Sequence, residues 1–218
     1  QVMKKVFVSI LAVAAFALTS NAQVFLGGSI GLNSNGTKTA LDGFDDVKNV
    51  RNSFSISPEV GFEVSDKFAV GAMVSFSTNK TTADKVSKKD TWSRTSSWSV
   101  APFVRYEFVS FNKFGLKAEA AYTFGMAPTV SSLNGEKTKG DKNMFMGVSV
   151  TPLLSYDLNE HFELEASLRF LSLSWNYNSS TDRDNKNDKT VSNTFGLSGN
   201  TGNIASLGGL TIGFIYKL

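Results

Sequence analysis

Between residues 53 and 64 the chain alternates without a fault, with Phe54, Ile56, Pro58, Val60, Phe62 and Val64 on one face and Ser53, Ser55, Ser57, Glu59, Gly61 and Glu63 on the other. A period of two is the mark of an extended strand, whose successive side chains leave opposite faces of the sheet. The same pattern runs through residues 68–78, 98–108, 116–126, 144–158, 162–170 and 210–218, and more loosely through 24–33. Eight strands result, each of roughly nine residues or more, which is the length that crosses a bilayer at the tilt of a barrel.

The connections alternate in length. Ser65-Asp66-Lys67, Ser110-Phe111-Asn112-Lys113 and Asn159-Glu160-His161 follow the second, fourth and sixth strands, whereas long polar stretches near 34–52, 79–91, 128–143 and 178–206 follow the others. Short turns at one end and long loops at the other predict an all-β, eight-stranded antiparallel up-and-down transmembrane β-barrel with both termini at the turn end. An internal repeat supports that register. Residues 56–64, 100–108 and 150–158 match one another, with Pro58, Pro102 and Pro152 at one equivalent height and a tight turn after each copy. Proline cannot donate to a ladder, so the three predict a shared bulge that bends the wall.

Composition excludes several chemistries. With no Cys and one His, there is no disulfide, no Cys-ligated or multi-histidine metal site and no thiol nucleophile. The mean hydropathy of −0.08 does not argue against a membrane protein, because a barrel averages an apolar wall with a polar lumen. Met3, Lys4 and Lys5 precede an apolar run over 6–18, and Ser20, Asn21 and Ala22 follow it. This is a secretory signal over 1–22, with cleavage expected after Ala22 and a barrel domain over 23–218. Gln1 and Val2 are read as an upstream extension. Removal of Lys4 and Lys5 lowers the formal charge from +3 to +1, so the charge balance gives no reason to expect a nucleic-acid partner.

The signal segment, the hairpin count, the Pro-x-aliphatic-x-aromatic-acidic-aliphatic repeat and the final stretch from Gly208 to Leu218 together resemble the small OmpA/OmpX-type outer-membrane β-barrel family. The resemblance covers essentially the whole mature chain. It implies residence in a Gram-negative outer membrane, contact with its lipid and lipopolysaccharide, and a monomer. It also implies insertion by the barrel assembly machinery through Phe214, Tyr216 and Leu218. Such barrels usually end in an aromatic residue, where this chain has Leu218. No periplasmic peptidoglycan-binding domain is expected after the eighth strand. The family hosts membrane-anchoring, adhesive and small-pore roles.

The polar face is dominated by Ser, Gly, Ala and Thr, which suit a narrow lumen, while a solvated outer face would favour long charged side chains. Aromatics cluster near both ends of the apolar face: Phe62, Phe68, Tyr106, Phe114, Tyr156, Phe162 and Tyr216 by the turns, and Phe54, Phe76, Trp98, Tyr122, Phe124 and Trp175 at the other rim. Two such girdles are what lipid interfaces select. By the same phase Glu59, Glu63, Arg105, Glu107, Lys117, Glu119, Asp157, Glu163, Glu165, Arg169 and Lys217 point inward. An eight-stranded lumen is just wide enough for side chains, so these are expected to pair as a polar plug, with Glu63, Glu107 and Asp157 at the wet mouth.

Catalytic and metal motifs are wanting. Enzymes of this barrel type include a histidine near the outer rim, whereas His161 falls in a periplasmic turn. The stretch from Asp182 to Asp188 has Lys186 at a would-be calcium position, and 135–140 has the residue types of a phosphate loop in the wrong order. Lys80, Lys85, Lys88 and Lys89 make the second outer loop basic, a candidate contact for lipopolysaccharide headgroups. Leu171, Leu173, Trp175 and Tyr177 shift phase by one from Phe170, so the seventh strand is expected to bulge and continue as a projecting hairpin with 191–197. The expected role is a non-enzymatic membrane scaffold and surface-loop presenter without cofactor, the alternative a narrow porin-like channel. Intact-mass analysis of the exported protein should give a chain beginning at Gln23; a retained 1–22 segment would refute the assigned cleavage.

Overall fold

Strands that alternate in hydropathy can satisfy their backbone groups in an apolar medium only if the sheet closes on itself. The computed structural model describes residues 23–39, 47–83, 91–133, 135–168, 171–182, 188–197 and 210–218; the predicted signal over 1–22 and Arg169 lie outside them. Twelve strands occur among the described residues: β1 (Gln23–Thr39), β2 (Val47–Ser65), β3 (Phe68–Ala83), β4 (Thr91–Phe111), β5 (Phe114–Met126), β6 (Thr129–Leu133), β7 (Glu136–Lys139), β8 (Lys142–Asp157), β9 (Phe162–Leu168), β10 (Leu173–Thr181), β11 (Lys189–Leu197) and β12 (Leu210–Lys217). Eight of them form a closed antiparallel ring in the order β1, β2, β3, β4, β5, β8, β9, β12, and β12 returns to pair with β1. β6 continues β5 along β4 without a change of register, and β6–β7 and β10–β11 are hairpins that extend the wall.

The two faces separate as the alternation requires. Leu26, Ile30, Val60, Val74, Phe76, Val104, Leu154, Ile212 and Phe214 are exposed on the outside, while Phe25, Ser57, Ser99, Phe103, Arg105, Thr151, Ser155, Glu163 and Glu165 are buried inside. The turn-end girdle is built from directly opposed aromatic pairs, Phe68 with Tyr106, Phe114 with Tyr156 and Phe162 with Tyr216. The last two have ring centroids 4.8 and 5.0 Å apart. Phe76 faces Trp98 at the other level. From Tyr106 to Trp98 the strand climbs about 26 Å at ~3.3 Å per residue, or about 20 Å along an axis tilted ~40°, close to the ~25 Å band of such walls.

The turns are stitched together by equivalent backbone bonds. Glu107 N–H donates to the Lys67 carbonyl, Asp157 N–H to that of Lys113 and Lys217 N–H to that of His161, at 2.8, 2.8 and 2.7 Å. Leu218 N–H donates to the Val24 carbonyl at 2.9 Å and continues this ring across the β12–β1 junction. Asn112 holds a left-handed φ of 53°, a conformation Asn tolerates better than most residues. The Asn159 side-chain oxygen accepts from the His161 and Phe162 N–H groups, both at 2.9 Å.

Two expectations need correction. Pro58 and Pro102 carry no bulge: β2–β3 pairing passes from Ile56–Phe76 to Glu59–Met73, and β4–β5 from Val100–Phe124 to Phe103–Ala121, each resuming in register. The prolines remain paired on their other side, with Gly28 and Ala72. The absent N–H therefore faces the following strand and interrupts the ladder without adding a residue. Register shifts fall nearer the turns, between Glu63 and Ser65 and between Glu107 and Val109. At Pro152, paired with Ala118, the gap coincides with the expected irregularity of the seventh strand. There the partner of Leu153 is Ser167 and that of Val150 is Leu173, six positions further on against a step of three.

Among the described residues, the stretches expected as long loops are largely paired strand. β1 and β2 pair up to Thr39 and Val47, β3 and β4 up to Ala83 and Thr91, and β10 and β11 up to Thr181 and Lys189, the last being the expected projecting hairpin. Ser, Thr and Asn occupy both faces there, so alternation disappears while the ladder persists.

One row across the lumen wall was not anticipated. Phe25, Gly61, Gly71 and Phe103 are successive partners on β1 to β4. The two glycines leave room for the rings, whose centroids lie 6.5 Å apart. The three nearest atoms to a Cβ on Gly61 would all belong to the Phe25 ring, whereas one on Gly71 would also lie 2.6 Å from the Val60 carbonyl oxygen. Gly61→Ala should therefore lower stability in detergent by about 1–3 kcal/mol and be largely rescued by Phe25→Leu, while Gly71→Ala is not rescued by Phe103→Leu. Denaturant titrations of the singles and doubles test this, and a Gly61→Ala protein as stable as the parent would contradict it.

Candidate functional site

The inward phase of the strands brings charged side chains from six of them into one space. Arg105 on β4 sits directly opposite Glu119 on β5. Its Nε donates to Glu119 Oε2 at 2.8 Å, and its Nη1 and Nη2 meet Oε1 and Oε2 of Glu59 on β2 at 3.0 and 2.9 Å. Across the lumen Nη1 lies 3.1 Å from Glu165 Oε2 on β9. The guanidinium is 4.3 Å from the centroid of Phe103 and 5.8 Å from that of Phe25, and the residue is 5% exposed. Its charge is thus fully shared among three carboxylates.

A second tier lies toward the turns. Lys117 on β5 pairs with Glu163 and, at 3.3 Å, with Glu165. Lys217 on β12 reaches Glu163 at 3.0 Å, Glu63 at 3.1 Å and Asp157 at 3.9 Å. Glu163 and Glu165 join the tiers, so three cations and six carboxylates form one connected network. Small residues opposite the long ones make room: Gly27 faces Glu59, Ala69 faces Arg105, and Gly213 and Ser155 flank Glu165. Among the described residues no buried side-chain nitrogen or oxygen lacks a partner, the condition under which burying such groups is tolerable.

Of the eleven charged positions read from the sequence, these nine are brought together. Glu107 is the cross-strand partner of Lys117 and lines the mouth, with no ion pair among the described residues. Arg169 is outside the described residues. Sequence reasoning missed Phe25, Phe103, Leu153 and Ile215, buried apolar residues on the polar phase. His161 lies in the third turn, its Nδ1 3.0 Å from the Lys217 carbonyl oxygen and its ring against Tyr216. It links that turn to the last strand.

The network and the phenylalanine row divide the lumen. Toward the turns is a cavity of about 310 Å³ bounded by Glu63, Glu107, Asp157, Lys217 and Arg105. Toward the open end is one of about 440 Å³, lined by seven serines and Thr211. Between them lies a pocket of about 60 Å³ lined by Arg105, Glu59, Glu119 and Glu165. The two larger spaces share no lining residue.

A family model described as "Outer membrane protein beta-barrel domain" matches residues 6–200. No curated protein matches the chain. Among solved structures, OprG of Pseudomonas aeruginosa is similar at 12% identity and a TM-score of 0.47, over 90% of this chain and 95% of its own. Ail, the attachment invasion locus protein of Yersinia pestis, solved in complex with the heparin analogue sucrose octasulfate, follows at 13% and 0.43, over 91% and 100%. Neisserial surface protein A matches at 14% and 0.39, over 91% and 98%.

Leaving a buried carboxylate without its cation costs about 3–5 kcal/mol. Arg105→Ala should destabilise the barrel by that amount in urea titrations, and Glu59→Gln with Glu165→Gln in the same chain should recover part of it. An Arg105→Ala barrel of undiminished stability would contradict the bracing role.

Proposed function

The chain belongs to the outer membrane protein β-barrel domain family, and on that premise we propose that it is a non-enzymatic membrane scaffold with a closed lumen, which presents its polar hairpins at the cell surface. The observation that carries this reading is the Arg105 guanidinium held across the lumen by carboxylates of three strands. An ion crossing the barrel would have to displace a side chain whose every direction of movement breaks a charge-assisted hydrogen bond. The six carboxylates of the network in turn are directed at its three cations.

The short turns face the periplasm in this reading, and the extended β1–β2, β3–β4, β6–β7 and β10–β11 pairs stand on the outside. The barrel acts as a monomer among outer-membrane lipids and lipopolysaccharide. Phe214, Tyr216 and Leu218, all on the exposed side of the last strand or at its end, supply the apolar signal for the barrel assembly machinery. A narrow channel for small solutes is the second reading, favoured by the two cavities of about 310 and 440 Å³ on either side of the plug. Planar-bilayer recording separates them. The purified barrel is expected to give no reproducible single-channel steps, and stable steps would establish the channel.

A further inference from the structure

Above the outer aromatics, the wall carries a group that neither ring closure nor the plug requires. The sequence placed Lys80 in a basic loop; it lies instead on β3, directly opposite Arg94 on β4, while Lys85, Lys88 and Lys89 fall outside the described residues. Both side chains share the outward phase of Phe76 and Trp98. Like charges directly opposed destabilise a strand pair, yet here both heads converge on one indole. Lys80 Nζ is 5.5 Å and Arg94 Cζ 5.6 Å from the Trp92 ring centroid. Neither cation has a carboxylate partner among the described residues.

The surroundings add positive charge. The cross-strand row of Lys80 and Arg94 continues through Val130 to Lys139, and Lys137 stands two rows higher, beyond Trp92 and Ser132. The strand carboxylates Glu59 and Glu119 are turned into the lumen toward Arg105. Arg94 lies four residues beyond Trp98, about 10 Å higher along the tilted wall. Interfacial aromatics sit at the headgroup boundary, so this height on the outward face meets the headgroups of the outer leaflet.

We propose that Lys80, Arg94 and Trp92, with Lys139 beside them, form a binding site for the phosphorylated sugar headgroup of an outer-leaflet glycolipid. A phosphate between the two cations turns their repulsion into attraction. The Arg94 fork offers it two parallel donors, Lys80 a third, and Trp92 orients both heads. The inference rests on the outer-membrane orientation and not on the closed lumen, so a conducting barrel would leave it standing.

The test uses the full barrel in detergent micelles, titrated with diphosphoryl lipid A, with lipid A stripped of phosphate, with inorganic phosphate and with a sulfated oligosaccharide. The parent should prefer diphosphoryl over dephosphorylated lipid A by about tenfold or more, and Lys80→Gln/Arg94→Gln should lose that preference. Heat-modifiable migration on unboiled gels shows that the variant is a folded barrel. Arg94→Lys should retain part of the preference, since charge survives and the fork does not. Equal lipid A binding by parent and double variant would overturn the proposal. So would inorganic phosphate or the sulfated sugar binding as tightly as the lipid, because the source of the anion would then not be the membrane.

Discussion

A single guanidinium braces this barrel from within. Closing eight strands leaves an interior too narrow for bulk water and too wide to be filled by the wall's own small residues. Arg105 solves this by bonding Glu59 two strands away, Glu119 on the adjacent strand and Glu165 on the far side. The Phe103 and Phe25 rings lie against it and exclude water from its charge. Such a network adds little net stability over an apolar filling of equal volume, but any missing member leaves an uncompensated charge behind. What the network does is tie strands together: the observed register of β2, β4, β5 and β9 brings three carboxylates onto one guanidinium.

That register also explains the Phe–Gly–Gly–Phe row. A one-residue slip of β2 or β3 would move Gly61 or Gly71 to the outside and drive Val60 or Ala72 toward the rings. The electrostatic and steric constraints thus select the same pairing by independent means. At the turn end the carbonyls of Lys67, Lys113 and His161 repeat one backbone bond around the rim. Two of the donors, Glu107 and Asp157, hold the same position in the internal repeat, which therefore encodes part of this joint.

The wall was legible in the sequence because period two is a local property, readable strand by strand. Phase alone also put Glu59, Arg105, Glu119, Glu163 and Glu165 inside. Their partners were not legible, because pairing depends on stagger between strands distant in the chain. Phe25 and Phe103 escaped notice for the same reason, since their burial is explained by glycines on two other strands. The prolines misled because a missing donor suggests a bulge, whereas each of Pro58 and Pro102 turns its defect toward one neighbour and keeps register with both. The upper strands are not legible as strands because Ser, Thr and Asn on both faces remove the only signal that alternation provides.

The two ends of the molecule therefore obey different rules. At the turn end, pairing, ionic network and backbone stitching depend on one another, and a substitution there disturbs all three. Beyond the outer girdle the strands are held by ladder bonds and hydroxyl contacts such as Ser77 with Ser97 at 2.6 Å and Thr95 with Thr129 at 2.9 Å. These survive exchange among small polar residues. Side chains on the outer face of that region, including Lys80, Trp92 and Arg94, carry no part of the lumen packing. A surface group placed there can be added or lost at little cost to folding, and its retention would reflect what it contacts in the membrane.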